Sequence, residues 1–100
     1  MASYRLSPAA EQDLEEIWTY TAHTWSAQQA EAYFGDLLQG LDMLAANPRI
    51  GRKMDRIRPG YRRFHVAHHL IFYTEKGQGS IDVIRILHEN SDVARRLGET

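Results

Sequence analysis

Asn47-Pro48 divides this chain into two halves with different hydrophobic periods, and that division restricts the fold more than any other feature. Ahead of it lie two helix-start signals. At Ser7-Pro8 a capping hydroxyl precedes proline at the first helical position, and Glu11, Asp13, Glu15 and Glu16 put negative charge at the positive end of the helix dipole. Ala10, Leu14, Ile17, Trp18, Thr21 and Ala22 then recur at helical spacing, which predicts a helix over residues 8–23. Ser26 with Gln29 forms a capping box that opens a second helix. Ala30, Tyr33, Phe34, Leu37, Leu38, Leu41 and Leu44 share one face of it, and Asn47-Pro48 ends it. So short a link forces the two helices back on each other as an antiparallel hairpin. Gly40 sits inside the second helix at a cost of about 1 kcal/mol relative to alanine, which predicts close approach of another backbone.

Behind the division the apolar residues form runs rather than helical stripes. Residues 61–66, 70–75 and 81–87 read as strands, with Gly77-Gln78-Gly79-Ser80 as the turn between the last two. Tyr4–Leu6 offers a short first strand, and Asn90 or Ser91 would cap a last helical turn through Arg96. Leu70-Ile71-Phe72-Tyr73 and Val83-Ile84-Arg85-Ile86-Leu87 are nearly continuous apolar runs, so these strands are buried on both faces. The expectation is one α+β domain over residues 1–100. Its order is β-α-α-β-β-β(-α), a helical hairpin packed on a small antiparallel sheet.

Charge is distributed as unevenly as hydrophobicity. The net charge is −1, yet Arg49, Arg52, Lys53, Arg56, Arg58, Arg62 and Arg63 face one acid, Asp55, within the same stretch. Before it, Arg5 is the only base among residues 1–46. Such polarity presents a cationic ridge to an anionic partner: a nucleic acid, an enzyme that handles one, or an acidic protein segment. Arg58-Pro59-Gly60-Tyr61-Arg62-Arg63 also carries an aromatic, so phosphate contact with stacking on Tyr61 would suit RNA or single-stranded DNA. A solvated loop is the plain alternative.

The absence of cysteine excludes disulfides and thiol catalysis, and neither a secretory apolar region nor a run long enough for a bilayer is present. These features predict a cytoplasmic protein with no membrane association. No metal site or cofactor is expected. His68 and His69 are adjacent and would point to opposite faces of a strand, and His65 has no distinguishing neighbour. Arg85 interrupts an apolar strand and must be paired or exposed. It would either clamp a phosphate with its planar fork or pair with Glu89, Asp82 or an acid of the first helix. His88 ends the same strand, as an acid or base or as a hydrogen-bonded structural residue.

The order of these pieces resembles the ParE branch of the ParE/RelE toxin superfamily of bacterial toxin–antitoxin systems, over nearly the whole chain. The similarity rests on Tyr4-Arg5-Leu6-Ser7, Asp13-Leu14, Ile17-Trp18-Thr19-Tyr20, Trp25, Gln29-Ala30 and Tyr33. It continues through Leu44-Ala45, Asn47-Pro48, Gly51, Gly60-Tyr61-Arg62-Arg63 and His69-Leu70-Ile71-Phe72-Tyr73. Val83-Ile84-Arg85-Ile86-Leu87-His88, with Asp92 and Leu97 beyond, is its most specific part. The chain departs from the family's pattern at Ser91, where relatives carry methionine, so a loosened C-terminal segment is expected.

The resemblance implies a toxin that inhibits DNA gyrase and so blocks replication, with no active site of its own. A ParD-like antitoxin, a ribbon-helix-helix protein with an acidic amphipathic tail, would neutralise it in a hetero-oligomer. Target contact is expected from Arg49, Arg52, Lys53, Arg56, Arg58, Tyr61, Arg62, Arg63 and Arg85, and antitoxin contact from Trp18, Trp25, Tyr33, Phe34 and Tyr73. The alternative is a RelE-like ribosome-dependent mRNA endoribonuclease using Arg63, Arg85 and His88. The lack of a tyrosine after Asn90 favours the gyrase reading. An inert antitoxin-binding relic is the third possibility.

Overall fold

A computed structural model describes residues 2–77 and 79–98. The chain runs β1 (Ser3–Leu6), α1 (Pro8–Thr24), α2 (Ala27–Ala46), β2 (Arg52–Lys53), β3 (Tyr61–Val66), β4 (His69–Gly77), β5 (Ser80–His88) and α3 (Val93–Gly98). Both predicted caps are formed. Ser7 Oγ accepts from the Ala10 N–H and Ser26 Oγ from the Gln29 N–H, each at 3.0 Å. Asn47 closes α2, and its side-chain amide donates to the Met43 carbonyl.

The five strands form one sheet in the order β1-β5-β4-β3-β2. Strands β2 to β5 are antiparallel, as expected, but β1 lies parallel to β5, so the sheet is mixed. The reason is the route: the helical hairpin crosses one face between β1 and the rest of the sheet and returns the chain at the far edge. Strand β2, hidden in the basic connector, was not legible because two residues show no alternation. Gln78, at the centre of the expected β4–β5 turn, lies outside the described residues. The glycines flanking it have φ of 78° and 74°, the left-handed region that glycine enters at little cost.

Each sheet face has its own core, as the continuous apolar runs foretold. On one face Leu14, Ile17, Leu37, Leu41 and Leu44 of the hairpin pack against Ile71, Tyr73, Ile81, Val83 and Ile86. On the other, Leu70, Phe72 and Leu87 meet Leu97 of α3, with Ile57, Tyr61 and Val93 at the margin. Full burial of one such aliphatic side chain stabilises by roughly 1.5–3 kcal/mol. Truncating Leu41, which has no exposed surface, to alanine would therefore cost about 2–5 kcal/mol. Leu97 is also fully buried and anchors α3 to this second core, against the loosened C-terminal segment expected from Ser91. Asp92, not Asn90 or Ser91, caps α3, its carboxylate accepting from the Arg95 N–H at 3.4 Å, and the helix extends beyond Arg96 to Gly98.

Gly40 does mark a close approach, but of a side chain rather than a backbone. A Cβ there would stand 2.8 Å from Val66 Cγ2 on β3. Among the described residues, no helix is long and apolar enough to cross a membrane.

Candidate functional site

The stretch from Pro48 to Arg63 is held to the sheet by one buried hydroxyl. Tyr73 Oη donates to the Pro48 carbonyl at 2.8 Å and accepts from the Gly51 N–H at 2.9 Å. Burial raises the Tyr73 phenol's pKa, so it remains the neutral donor this arrangement needs. Arg62 adds a second tie, donating to the Gly51 carbonyl at 2.8 Å and the Arg49 carbonyl at 3.2 Å. Tyr73 is thus a buried fastener, and the expected antitoxin contact through it is withdrawn: its side chain has no exposed surface.

Those ties place the bases. Strand β2 pairs with β3 so that Arg52 lies opposite Arg63 and Lys53 opposite Arg62. Directly opposed residues share a face at close range, and like charges there destabilise a sheet. Arg49 forms an exposed ion pair with Glu75 at 3.6 Å. Among the described residues, Arg52, Lys53, Arg56, Arg58 and Arg63 pair with no carboxylate. The one acid of the stretch, Asp55, accepts from the Gly60 N–H at 2.9 Å and so holds the turn. Arg52, Lys53, Arg56 and Arg63, together with Asp55 and Met54, surround Ile57 in a shallow depression of about 530 Å³. Tyr61 is not free to stack on a base, because its ring packs half-buried against the second core.

Arg85 stands apart from this ridge. Its guanidinium grips Asp13 of α1 through two bonds, Nε to Oδ2 at 2.8 Å and Nη2 to Oδ1 at 2.9 Å. Of the two readings left open by the sequence, pairing with an acid of the first helix is the one realised. The need arises where β1 stops at Leu6 and leaves the edge of β5 open. Ser7 Oγ donates to the Ile84 carbonyl, and Asp13 Oδ2 accepts from the Ile86 N–H at 2.9 Å, so the helix completes the ladder that the strand abandons. Arg85 is 7% exposed, which removes it from the target-contacting set. The supposed ribonuclease trio is not assembled either. Arg63 lies opposite Phe72, and Phe72 opposite Arg85, on the α3 side of the sheet. Alternation along β5 sends His88 to the other side with Ile86.

Histidines the sequence left without a role converge where β4 begins and β5 ends. Glu89 bonds His65 Nε2 and His68 Nδ1, each at 2.9 Å, and these bonds, His68 first, lower the carboxyl's pKa. The Tyr33 hydroxyl accepts from the His68 N–H at 3.1 Å and lies 2.6 Å from His69 Nδ1. With His69 protonated on Nε2, the hydroxyl donates to its Nδ1. Burial, reinforced by His88 and His68, lowers the His69 pKa to about 4, so the ring is neutral near pH 7. The cross-strand register His69↔His88, which creates this cluster, has no local sequence signal. Among the described residues, no group of His, Cys, Asp or Glu is arranged to hold a metal ion.

Beside the cluster a groove of about 830 Å³ runs between α1 and the end of β5, bordered by Tyr20, Trp25, Tyr33, His69 and His88. Tyr20 and Trp25 are 67% and 68% exposed, large apolar surfaces to leave in water. Trp18 is partly covered by an edge-to-face contact with Phe34, at 5.6 Å between ring centroids. Of the expected antitoxin-facing aromatics, Trp18 and Trp25 are open, and Tyr33 and Phe34 are half-buried.

Comparison with known proteins agrees with this architecture. Residues 4–93 match the family described as ParE toxin of type II toxin-antitoxin system, parDE. Toxin ParE1 of Mycobacterium tuberculosis (strain H37Rv) is 52% identical over 94 residues, covering 94% of this chain and 96% of the relative. Toxin ParE1 of Caulobacter vibrioides is 36% identical over 98 residues, covering 98% and 100%. A solved chain from the chromosomal ParDE TA system from P. aeruginosa superposes with a TM-score of 0.74 at 23% identity, over 88% of this chain and 96% of that one, and so shares the fold. The chain belongs to the ParE toxin family of type II toxin–antitoxin systems.

Proposed function

We propose that this toxin acts by docking on DNA gyrase, without bond-making chemistry of its own, and that a ParD-like antitoxin neutralises it. The carrying observation is the ridge on β2, the connector and the start of β3, where Arg52, Lys53, Arg56, Arg58 and Arg63 stand unneutralised. Two like-charged cross-strand pairs are a cost to folding, and a cost kept at the surface is compensated by a function there. Arg85 and His88, which an RNA-cleaving mechanism would need beside Arg63, are instead committed to Asp13 and to the opposite sheet face. The groove with Tyr20 and Trp25 is the surface best suited to an amphipathic antitoxin segment, and the ridge suits its acidic residues.

The test compares purified toxin in two assays, gyrase supercoiling with DNA cleavage, and mRNA cleavage on ribosomes. Loss of supercoiling with intact mRNA is expected, and an Arg52→Glu/Arg56→Glu variant should lose the inhibition. Cut mRNA with unimpeded gyrase would overturn the reading.

A further inference from the structure

We infer that the depression framed by Arg52, Lys53, Arg56 and Arg63 binds the phosphate backbone of duplex DNA directly. On the gyrase reading, on which this partner assignment rests, the toxin then touches the DNA that the enzyme holds as well as the enzyme.

Three features favour a phosphate backbone over the other anionic partners. The cations are mostly arginine, whose planar fork matches phosphate oxygens two at a time. The floor offers Ile57 and Met54, both half-buried, and none of the large exposed apolar side chains of the molecule lines it. A peptide would find no anchor pocket there, since specific peptide grooves add side-chain pockets to main-chain contact. Single-stranded nucleic acid is normally held by open aromatic platforms, and Tyr61, on the same face of β3, is packed into the second core. What remains is a close set of four cations beside one carboxylate, Asp55, which holds the Gly60 turn; such a net positive set positions a protein on a duplex without reading its bases.

The pairing geometry supports the same conclusion. Arg52 and Arg63 are held opposite each other by the β2–β3 ladder, and the Tyr73 and Arg62 bonds hold the connector that leads into it. The backbone positions that carry these charges are therefore fixed before the ligand arrives, which lowers part of the ordering cost of binding.

The experiment is fluorescence anisotropy of the purified toxin with a labelled DNA duplex, in competition with single-stranded RNA and a poly-glutamate peptide. Three to four phosphate contacts predict a log–log salt slope of about −2.7 to −3.6, so affinity should fall about 40- to 150-fold between ~50 and ~200 mM salt. Arg52→Gln or Arg63→Gln should each flatten the slope by about 0.9. Their melting temperatures should be unchanged or raised, because a repulsive pair is relieved. Absence of duplex binding at low salt, or stronger competition from the peptide or the RNA than from unlabelled duplex, overturns the inference. Duplex binding without gyrase inhibition would sink the gyrase reading and with it the assignment to gyrase-held DNA, leaving the depression as a duplex-binding site. Gyrase inhibition untouched by both substitutions, with no duplex binding, would sink this inference alone.

Discussion

Removing one member of the Asp13–Arg85 pair should nearly unfold this protein, whereas removing both should not. Asp13 accepts three hydrogen bonds, from Arg85 Nε, Arg85 Nη2 and the Ile86 N–H, at 2.8 to 2.9 Å, and the two side chains are 6% and 9% exposed. Breaking a buried pair from one side leaves an uncompensated charge and costs about 3–5 kcal/mol. Against a total stability of about 5–15 kcal/mol that is a large fraction, and a domain of this size loses roughly 4–8 °C of Tm per kcal/mol. Asp13→Leu and Arg85→Met should each behave this way. The double variant leaves no buried charge; it strands the Ile86 N–H and removes the bond that Arg85 Nη1 donates to the Arg96 carbonyl at 3.4 Å, so its loss should be about 1–3 kcal/mol. Urea unfolding followed by tryptophan fluorescence and circular dichroism gives the four corners of the cycle. Single losses below about 1 kcal/mol, or a double variant as unstable as the sum of the singles, would refute the account. So would an Arg85→Met protein that keeps its stability and loses toxicity, since Arg85 would then be a contact residue.

Three further outcomes follow from the same packing. Gly51→Ala drives a Cβ into the Tyr73 hydroxyl and ring; the ring is fully buried and cannot retreat, so stability should drop by about 1–3 kcal/mol, read by denaturant midpoint, and gyrase inhibition should weaken as the ridge shifts. Ala67 turns the β3–β4 corner at φ 50°, so Ala67→Gly should stabilise by about 0.5–1 kcal/mol in the same measurement. His69 makes stability pH-dependent: its folded pKa of about 4 lies below the free value of 6.5, so the unfolded state binds more protons between the two. That stability is complete above about pH 6.5 and fades as the pH falls toward 4, by about 1–2 kcal/mol after allowance for solvent screening of a half-buried ring. In His69→Phe the fade across that window should be reduced, and an unchanged pH profile would contradict the assignment.

The ridge and the groove lie on different parts of the surface, and that separation bears on regulation. Antitoxin seated on Tyr20 and Trp25 would leave the β2–β3 ridge reachable, unless its acidic tail also crosses to Arg52 and Arg56. An antitoxin shortened at that tail should then bind tightly and neutralise poorly, with affinity and supercoiling inhibition as the two readouts.

Much of the fold could be read from the chain because its signals are local. Ser7, Ser26 and Asn47 declare helix ends through bonds to residues three or four positions away, and the apolar periods of α1 and α2 and the apolar runs of β4 and β5 are complete within a few turns or pleats. The density of bases from Arg49 to Arg63 is likewise a property of a short stretch, whatever the chain does around it. Tertiary structure alone decided the rest. Arg85 meets Asp13 across 72 positions only because β1 ends early beside β5. The histidines gather on Glu89 and Tyr33 only because His69 pairs with His88. Tyr73, expected as an antitoxin contact from the resemblance, becomes the fastener of the basic connector once β4 is the central strand. Partners of these residues are set by strand order and register, which depend on burying two faces of one sheet at once and leave no trace in the few residues on either side.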